Sequence, residues 1–489
     1  MRFLCSRIEG AFMRRNHWMI IVAAACAIAL KMLGFGFQAT ASETESGPLN
    51  IGSRLEMFVD NYLIDKMNGV QLVLHEPKLA GTAIVFDRPW EGKTGAYTTI
   101  IKDGGTYRMY RRGGMSDFDG SPKEVTIYAE SKDGMVWTKP NLDLYEINGS
   151  KENNVILAGD PPFSHNFSPF LDANKDAPQE QRYKALAGTL DSGLVAFVSA
   201  DGIHWKKMQS EPVLKGTPGE FFFDSQNVSF WSTAEERYVC YFRIGMQKRP
   251  FGPTLRSVAR ATSKDFIHWS KFTPLKPNLE NEHLYTTQTH PYFRAPHIYI
   301  ALPTRFMAER GNSTDILFMT ARGGGRYSRL FKQAFIRPGL NRDNWNDRGN
   351  YAALNVVPTS PEEMSIYVDR RGGDPHYLER MTLRTDGFVS ANAGHDGGEL
   401  LTKPFVFQGN ALKINYSTSA AGGIRVEILD QSGAPVPGFS FDECAEIVGD
   451  EIEQTVAWKN GGDVQVLAGK PIRLRFVLKD ADLYSLKFE

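Results

Sequence analysis

Apolar and polar residues alternate with a period of two through most of the chain, the pattern of half-buried strands, and no stretch beyond the N-terminal segment sustains a helical period. Tyr97 to Ile101, the turn Asp103-Gly104-Gly105, and Tyr107 to Arg111 predict a hairpin. Val125 to Ala129 then runs into Ser131-Lys132-Asp133-Gly134-Met135-Val136-Trp137. The phrase returns at Ser199 to Trp205 and at Ser263 to Trp269, and a worn copy from Thr320 to Tyr327 keeps only the closing aromatic. The aromatic positions 137, 205, 269 and 327 step by 68, 64 and 58 residues, so one supersecondary unit is reused.

The phrase reads as architecture. Ser and Asp hydroxyl and carboxylate oxygens suit the nearby amides of a tight turn, Gly supplies a positive φ, and the Trp lays a large apolar face on the adjoining sheet. Gly323-Gly324-Gly325 belongs to the worn copy and lacks the Lys-Ser/Thr of a phosphate loop. Further strands are expected at Arg182 to Gly188, Leu194 to Val198, Asn227 to Trp231, Arg237 to Phe242, Ser257 to Ala261, Tyr292 to Ile300 and Ile316 to Thr320. A fifth unit without the phrase covers Tyr351 to Val357, Met364 to Val368 and Tyr377 to Leu383. Five four-stranded units in a row predict an all-β five-bladed β-propeller over residues 55–390, after a linker at 42–54. Short alternating strands from Phe405 to Leu478 predict a β-sandwich over 400–489. Its strands Phe405 to Phe407 and Ile472 to Leu478 carry more apolar surface than a small sandwich needs, so it is expected to pack on the propeller.

The 489 residues carry 56 basic and 56 acidic groups, which leaves no basic field for nucleic acid. Arg14 and Arg15, the apolar run from Trp18 to Leu30 and Ala39-Thr40-Ala41 read as a signal peptide over 1–41, cleaved after Ala41. Export to the periplasm or the exterior is the expectation. An uncleaved membrane anchor and a lipid-modified Cys26 are the alternatives. Beyond that segment only Cys240 and Cys444 remain, in different predicted domains, and read as buried thiols rather than as a disulfide framework or metal set.

Asp-Gly-Gly before Tyr107-Arg108-Met109-Tyr110, the repeated Ser-x-Asp-Gly-x-x-Trp, five units and a trailing sandwich together resemble the clan of propeller glycoside hydrolases. That clan, families 32, 43 and 68, includes invertases, inulinases, levansucrases and arabinanases. Phe58-Val59-Asp60-Asn61-Tyr62-Leu63-Ile64 and Leu284-Tyr285-Thr286-Thr287-Gln288 resemble phrases of exported bacterial proteins within it. The resemblance implies a carbohydrate substrate, no cofactor, and catalytic carboxylates where the innermost strands begin. Asp224, leading Asp224-Ser225-Gln226-Asn227, matches an Asp-led inner strand. The preceding unit has Asn166 where the clan has Asp, and the first has Tyr97, which cannot be a base, so Glu91 is the nearest acid. Glu282 stands in for the clan's Glu.

The residues themselves point the same way. Asp224 follows Phe221-Phe222-Phe223, so apolar walls are expected beside it; a role as a strand-start cap is the alternative. Trp90 beside Glu91 offers a stacking face and a carboxylate for a sugar, or else a loop Glu beside a core Trp. Gln288, His290 and Arg294 fall at even spacing and are expected to share the channel face, with His165 and Asn166 joining from the second unit. No metal-ligand spacing is present among these histidines. Asp60 and Asp65 are expected in surface turns. Two functions follow: a secreted glycosidase using paired carboxylates, or a glycan-binding propeller without catalysis. A sialidase is a poorer match, having a longer repeat and six blades.

Overall fold

The structure is a computed structural model that describes residues 47–92, 96–114, 120–216, 222–246, 255–370 and 375–489. The signal-peptide expectation, with its cleavage after Ala41, lies outside the described residues. Among them no helix is long and apolar enough to cross a membrane.

The repeated phrase makes the expected turn three times. Ser131 Oγ accepts the Gly134 amide at 2.9 Å, and Asp133 Oδ1 accepts those of Met135 and Val136 at 2.7 and 2.9 Å. Ser199 and Asp201 repeat this around Gly202, and Ser263 and Asp265 repeat it around Phe266. The left-handed conformation at the third position suits Gly134 and Gly202 (φ 76° and 77°), yet Phe266 adopts it at 69°. Its ring is held by Phe170 and Tyr238 at 5.5 and 5.1 Å, packing that offsets the backbone strain.

Five antiparallel sheets follow in order. Blade I is built on Ala96–Asp103, Thr106–Gly114 and Glu124–Ser131, blade II on Ser168–Leu171, Tyr183–Thr189 and Gly193–Ser199, and blade III on Val228–Ser232, Arg237–Met246 and Leu255–Ser263. Blade IV is His290–Tyr292, Ala295–Ala301 and Met319–Ala321, interrupted by an inserted hairpin, Thr304–Met307 with Ser313–Ile316. In blade V, Asn350–Ala352, Glu363–Arg370 and His376–Arg384 are completed by Lys78–Phe86 from the start of the chain. That strand closes the ring. The innermost strands meet on the axis, where Gln226 Nε2 donates to Thr99 Oγ1 (2.7 Å) and Gln288 Nε2 donates to Gln226 Oε1 (2.7 Å) and Ala352 O (2.8 Å).

Neighbouring blades are fastened by a tyrosine on the second strand reaching the first turn of the blade before it. Tyr238 donates to Asp172 at 2.8 Å, Tyr107 to Pro358 O at 2.5 Å and Tyr299 to Glu235 at 2.9 Å, and Tyr183 donates to Asp103.

The sandwich differs from the expectation in what it contains. Leu49–Gly52 pairs in parallel with Phe405–Phe407, Ile64–Asn68 pairs with Gly398–Thr402, and Val70–Leu74 pairs with Val389–Ala393. The stretch assigned to a linker at 42–54 and to the start of the propeller at 55 therefore supplies strands to the C-terminal sheets. Alternation marks a strand but not its partner across more than three hundred residues, which is why the sequence left this open. The long strands Leu412–Asp430 and Ile472–Phe488 run through both layers, shifting register between Thr418 and Gly423. Gly422 sits at that bend, where a Cβ would stand 2.4 Å from Asp480 O.

Sandwich and propeller share a core. Leu55, Met57, Val59, Phe388 and Val389 pack with Tyr292, Ile300, Phe318 and Met364 of blades IV and V. Asp60, expected in a surface turn, is instead buried at this seam and ion-paired to Arg322 at 2.6 Å. Asp65 pairs with Arg473. Cys240 and Cys444 are free, buried thiols, and burial pushes Cys240 up to about 12.

Candidate functional site at the channel mouth

The mouth is the end of the channel where the inner strands begin. Tyr97, Asn166, Gln288 and Arg348 stand two residues before Thr99, Ser168, His290 and Asn350, and all four take left-handed backbone conformations (φ 62°, 57°, 48° and 52°). Strain repeated at one place in four blades, in residues with side chains, marks positions over-determined by their surroundings.

Three tyrosines line this end edge to face. Tyr97 and Tyr285 each lie 5.8 Å from Tyr351, ring centre to ring centre. Four arginines lie against them. Arg112 stacks 5.0 Å from the Tyr97 ring, Arg243 and Arg256 lie 4.2 and 5.1 Å from the Tyr285 ring, and Arg348 Nη1 is 3.5 Å from the Tyr285 hydroxyl. Asp224 is ion-paired to Arg243 and keeps 35% of its side chain exposed. Burial works to raise the Tyr285 hydroxyl pKa, the Arg243 charge pulls it down, and the balance falls below the ordinary 10.0. Tyr97 goes the other way, raised by burial and then by Tyr285. Between blades I and II, Glu124 and His165 are buried with both carboxylate oxygens 3.0 Å from His165 Nδ1, and Arg112 Nη1 lies 2.9 Å from the same nitrogen.

Of the residues singled out from the sequence, Asp224, His165 and Asn166 stand at the mouth. Asn166 donates to Phe223 O at 3.0 Å and leaves its Oδ1 buried without a hydrogen-bond partner. Gln288 is at the axis. His290 is neither a ligand nor a base: its Nδ1 lies 2.9 Å from Gln288 O, its Nε2 accepts the Val356 amide at 3.1 Å, and burial lowers its pKa to about 4.

Glu91, Glu282 and Arg294 are corrected. Glu91 is fully buried, accepting Lys139 Nζ at 2.7 Å and the Arg88 amide at 2.8 Å, because the loop after the closing strand turns it under blade I. Trp90 is half-buried over that loop and donates to Asn154 at 2.7 Å. Both oxygens of Glu282 are held by Arg329, one of them at 2.8 Å. Arg294 leaves the channel face altogether. The ladder slips between Pro291 and Tyr292, and Arg294 reaches Asp386 at 2.7 Å and also Glu453, at the seam with the sandwich.

Arg112, Glu124, Arg243, Arg256 and Arg348 were not singled out from the sequence. One signal for two of them was present: Tyr107-x-x-Tyr110-x-Arg112 recurs as Tyr238-x-x-Tyr241-x-Arg243, a fastening tyrosine followed five residues later by a mouth arginine. The far end of the channel offers no comparable chemistry. Its cavity of about 310 Å³, lined by Ile100, Phe170, Phe230, Trp231, Leu354 and Val356 among others, has no carboxylate among its described residues. Among the described residues no three His, Cys, Asp or Glu side chains group as a metal site.

No protein-family model matches the chain, and no curated protein sequence matches it. Solved structures similar to it in shape include one titled a glycoside hydrolase, at 12% identity and TM-score 0.46 over 63% of this chain and 92% of that one. An arabinoxylan arabinofuranohydrolase from Bacillus subtilis is similar at 13% and 0.41, over 83% and 99%. An exo-inulinase from Aspergillus awamori is similar at 13% and 0.38, also over 83% and 99%. The five-blade assignment itself rests on the strand pairing of this chain.

Proposed function

We propose that the chain is an exported glycoside hydrolase whose reaction takes place at the channel mouth. One observation carries the reading: Asp224 is a carboxylate about one-third exposed at an inner-strand start, set among Tyr97, Tyr285 and Arg243. Hydrolysis needs one group to protonate the leaving oxygen and another to take a proton from water. Asp224, paired with a cation, is the acceptor. With Glu91 and Glu282 engaged elsewhere, the Tyr285 hydroxyl is the donor at this mouth. The glycosidic C–O bond breaks as a water oxygen bonds to the anomeric carbon. The water proton goes to Asp224, the Tyr285 proton goes to the leaving oxygen, and solvent returns a proton from one to the other.

The test is release of reducing ends from a polysaccharide panel by the wild type, Asp224→Asn and Tyr285→Phe. Each substitution is expected to lower turnover about 10²- to 10⁴-fold, with oligosaccharide binding retained. Unchanged turnover in Asp224→Asn overturns the assignment. The capture of Asp224 by Arg243 favours a second reading, glycan binding without hydrolysis. A wild type that binds oligosaccharides by calorimetry and releases no reducing ends establishes it.

A further inference from the structure

A cleft of about 540 Å³ opens on blade I, at the same end of the propeller as the mouth. The strand ends that line it fix this position: Gly114 lies two residues beyond Arg112, which stacks on Tyr97, and Lys123 and Val125 flank Glu124, which meets His165. Half-buried Trp90, Tyr145 and Ile147 line the cleft together with exposed Glu146 and Asn148. Two consecutive buried asparagines hold the aromatic residues in place. Asn154 Oδ1 accepts Trp90 Nε1 at 2.7 Å while Asn154 Nδ2 donates to Tyr128 O at 2.5 Å. Asn153 Nδ2 donates to Tyr145 O at 2.7 Å and to Ser150 O at 3.1 Å. Ile147 and Ser150 then exchange both backbone hydrogen bonds, at 2.8 and 3.1 Å, around Asn148 and Gly149. These two take left-handed φ values of 53° and 79°, the tight hairpin turn that an Asn-Gly pair favours. The cleft is therefore preformed on both sides.

Blade I already has a closed core in Ile84, Phe86, Val125 and Ile127. Protein interiors pack to crystal density, so an aromatic-lined space left open beside a finished core is a shaped surface rather than a packing gap. Its size falls within the about 300–1,000 Å³ usual for small-molecule sites. The Trp90 N–H is spent on Asn154, so its indole offers ring surface. The side chains of Tyr145, Glu146 and Asn148 make no hydrogen bond among the described residues, which leaves a phenol, a carboxylate and an amide open beside that surface. A sugar ring has the matching pattern. Its C–H groups carry partial positive charge and meet the negative face of an aromatic ring, while its edge hydroxyls both donate and accept. Resting on the reading of the mouth as a glycan site, we propose that this cleft is a second glycan site, holding neutral sugar rings of a polysaccharide between Trp90 and Tyr145, outside the mouth. A polymer engaged by cleft and mouth together binds more tightly than either site alone provides.

The test is affinity electrophoresis of the full chain in gels carrying soluble xylan, arabinan or galactan, three neutral polysaccharides. Retardation by at least one is expected, in the wild type and in Asp224→Asn, where the polymer is not consumed. Trp90→Ala leaves buried Asn154 Oδ1 without its donor and disturbs the fold. Tyr145→Ala and the double substitution Glu146→Ala with Asn148→Gly therefore carry the test, since they break no side-chain hydrogen bond among the described residues and glycine keeps the left-handed turn. Each, at an unchanged melting temperature, is expected to weaken retention about tenfold. Undiminished retention in both overturns the cleft and leaves the reading of the mouth standing. Absence of retention of the wild type in all three gels also overturns it. Retention that both substitutions weaken, in a wild type that releases no reducing ends, removes the hydrolase and keeps the cleft.

Discussion

At the seam between propeller and sandwich, Arg322 meets two carboxylates, Glu56 and Asp60, at 2.6 Å each. At the mouth, four arginines lie against Tyr97 and Tyr285, with Asp224 on Arg243 and Asp347 on Arg348. The residue types are the same and their surroundings differ. Glu56 has no exposed surface and also lies 3.1 Å from His297 Nε2; burial acts to raise its pKa, but His297 and Arg322 outweigh that and bring it down to about 2. Every charge there is answered from within the chain. At the mouth the strained backbone of four blades converges, and Asp224 keeps about a third of its side chain open to solvent.

The largest effect expected at the seam comes from removing it. A chain truncated near residue 398 loses Ile472–Phe488, which pairs with Glu56–Met57, Val389–Ala393 and Gly398–Thr402, and strips cover from Phe388, Val389, Leu55 and Met57. Insolubility or loss of a cooperative melt is expected. A truncated chain as heat-stable as the full one would show that the shared core contributes little.

Glu56→Ala is the next test. It leaves His297 without its carboxylate and Arg322 with Asp60 alone, and breaking a buried pair from one side costs about 3–5 kcal/mol. The melting temperature should fall, while turnover per folded molecule stays unchanged. Acid makes the same point without a mutation. The pKa of Glu56 is about 2 in the folded chain against an ordinary 4.5, so its contribution is full above about pH 4.5 and is lost as pH falls towards 2. The stake is about 3 kcal/mol. Glu56→Gln should flatten the acid limb of stability against pH; an unaltered limb would place the acid sensitivity in other groups.

How much of this was legible follows from the range of each interaction. The turn phrase announced itself because its hydrogen bonds run within three residues of Ser131, Ser199 and Ser263. Strands were visible by alternation, and five blades by their repetition. The partners of Lys78–Phe86 and of Leu49–Gly52 were not, since each pairs near the other end of the chain and no local residue records it. In the site, Asp224 was readable because it leads an inner strand. Glu91 and Glu282 looked equivalent in sequence, and only the positions of Lys139 and Arg329 show that one oxygen of Glu91 and both of Glu282 are held inside the chain. The mouth arginines were hidden among ordinary strand residues, their meaning supplied by convergence from three blades.

Asp224→Asn is the mirror image of the seam variant. Its ion pair with Arg243 is one-third exposed and so contributes at most about 1 kcal/mol once solvent screening is allowed for. The melting temperature should barely move while turnover falls. A large loss of stability in this variant would mean that Asp224 belongs with the seam carboxylates, as a structural group, and would erase the distinction between the two regions.

The smallest expected effects lie at the blade junctions, which combine both kinds of environment. Tyr238 donates at 2.8 Å to Asp172, whose carboxylate is fully buried and also takes Lys184 Nζ at 2.6 Å. Tyr238→Phe deletes one hydrogen bond to a charged group but leaves the ion pair, so a loss of about 1.5–2 kcal/mol is expected. Tyr107 donates to a neutral carbonyl, Pro358 O, at 2.5 Å across the junction where blade I meets blade V. Tyr107→Phe should cost less, about 1 kcal/mol, because that acceptor is neutral and the exposed Lys102 ammonium, which donates to the Tyr107 hydroxyl at 2.8 Å, can turn to water instead. Chemical denaturation of the two variants should therefore rank Tyr238→Phe as the more destabilised. The reverse order would mean that the Tyr107 contact, beside the strand that closes the ring, is reporting on closure of the whole propeller rather than on a single hydrogen bond.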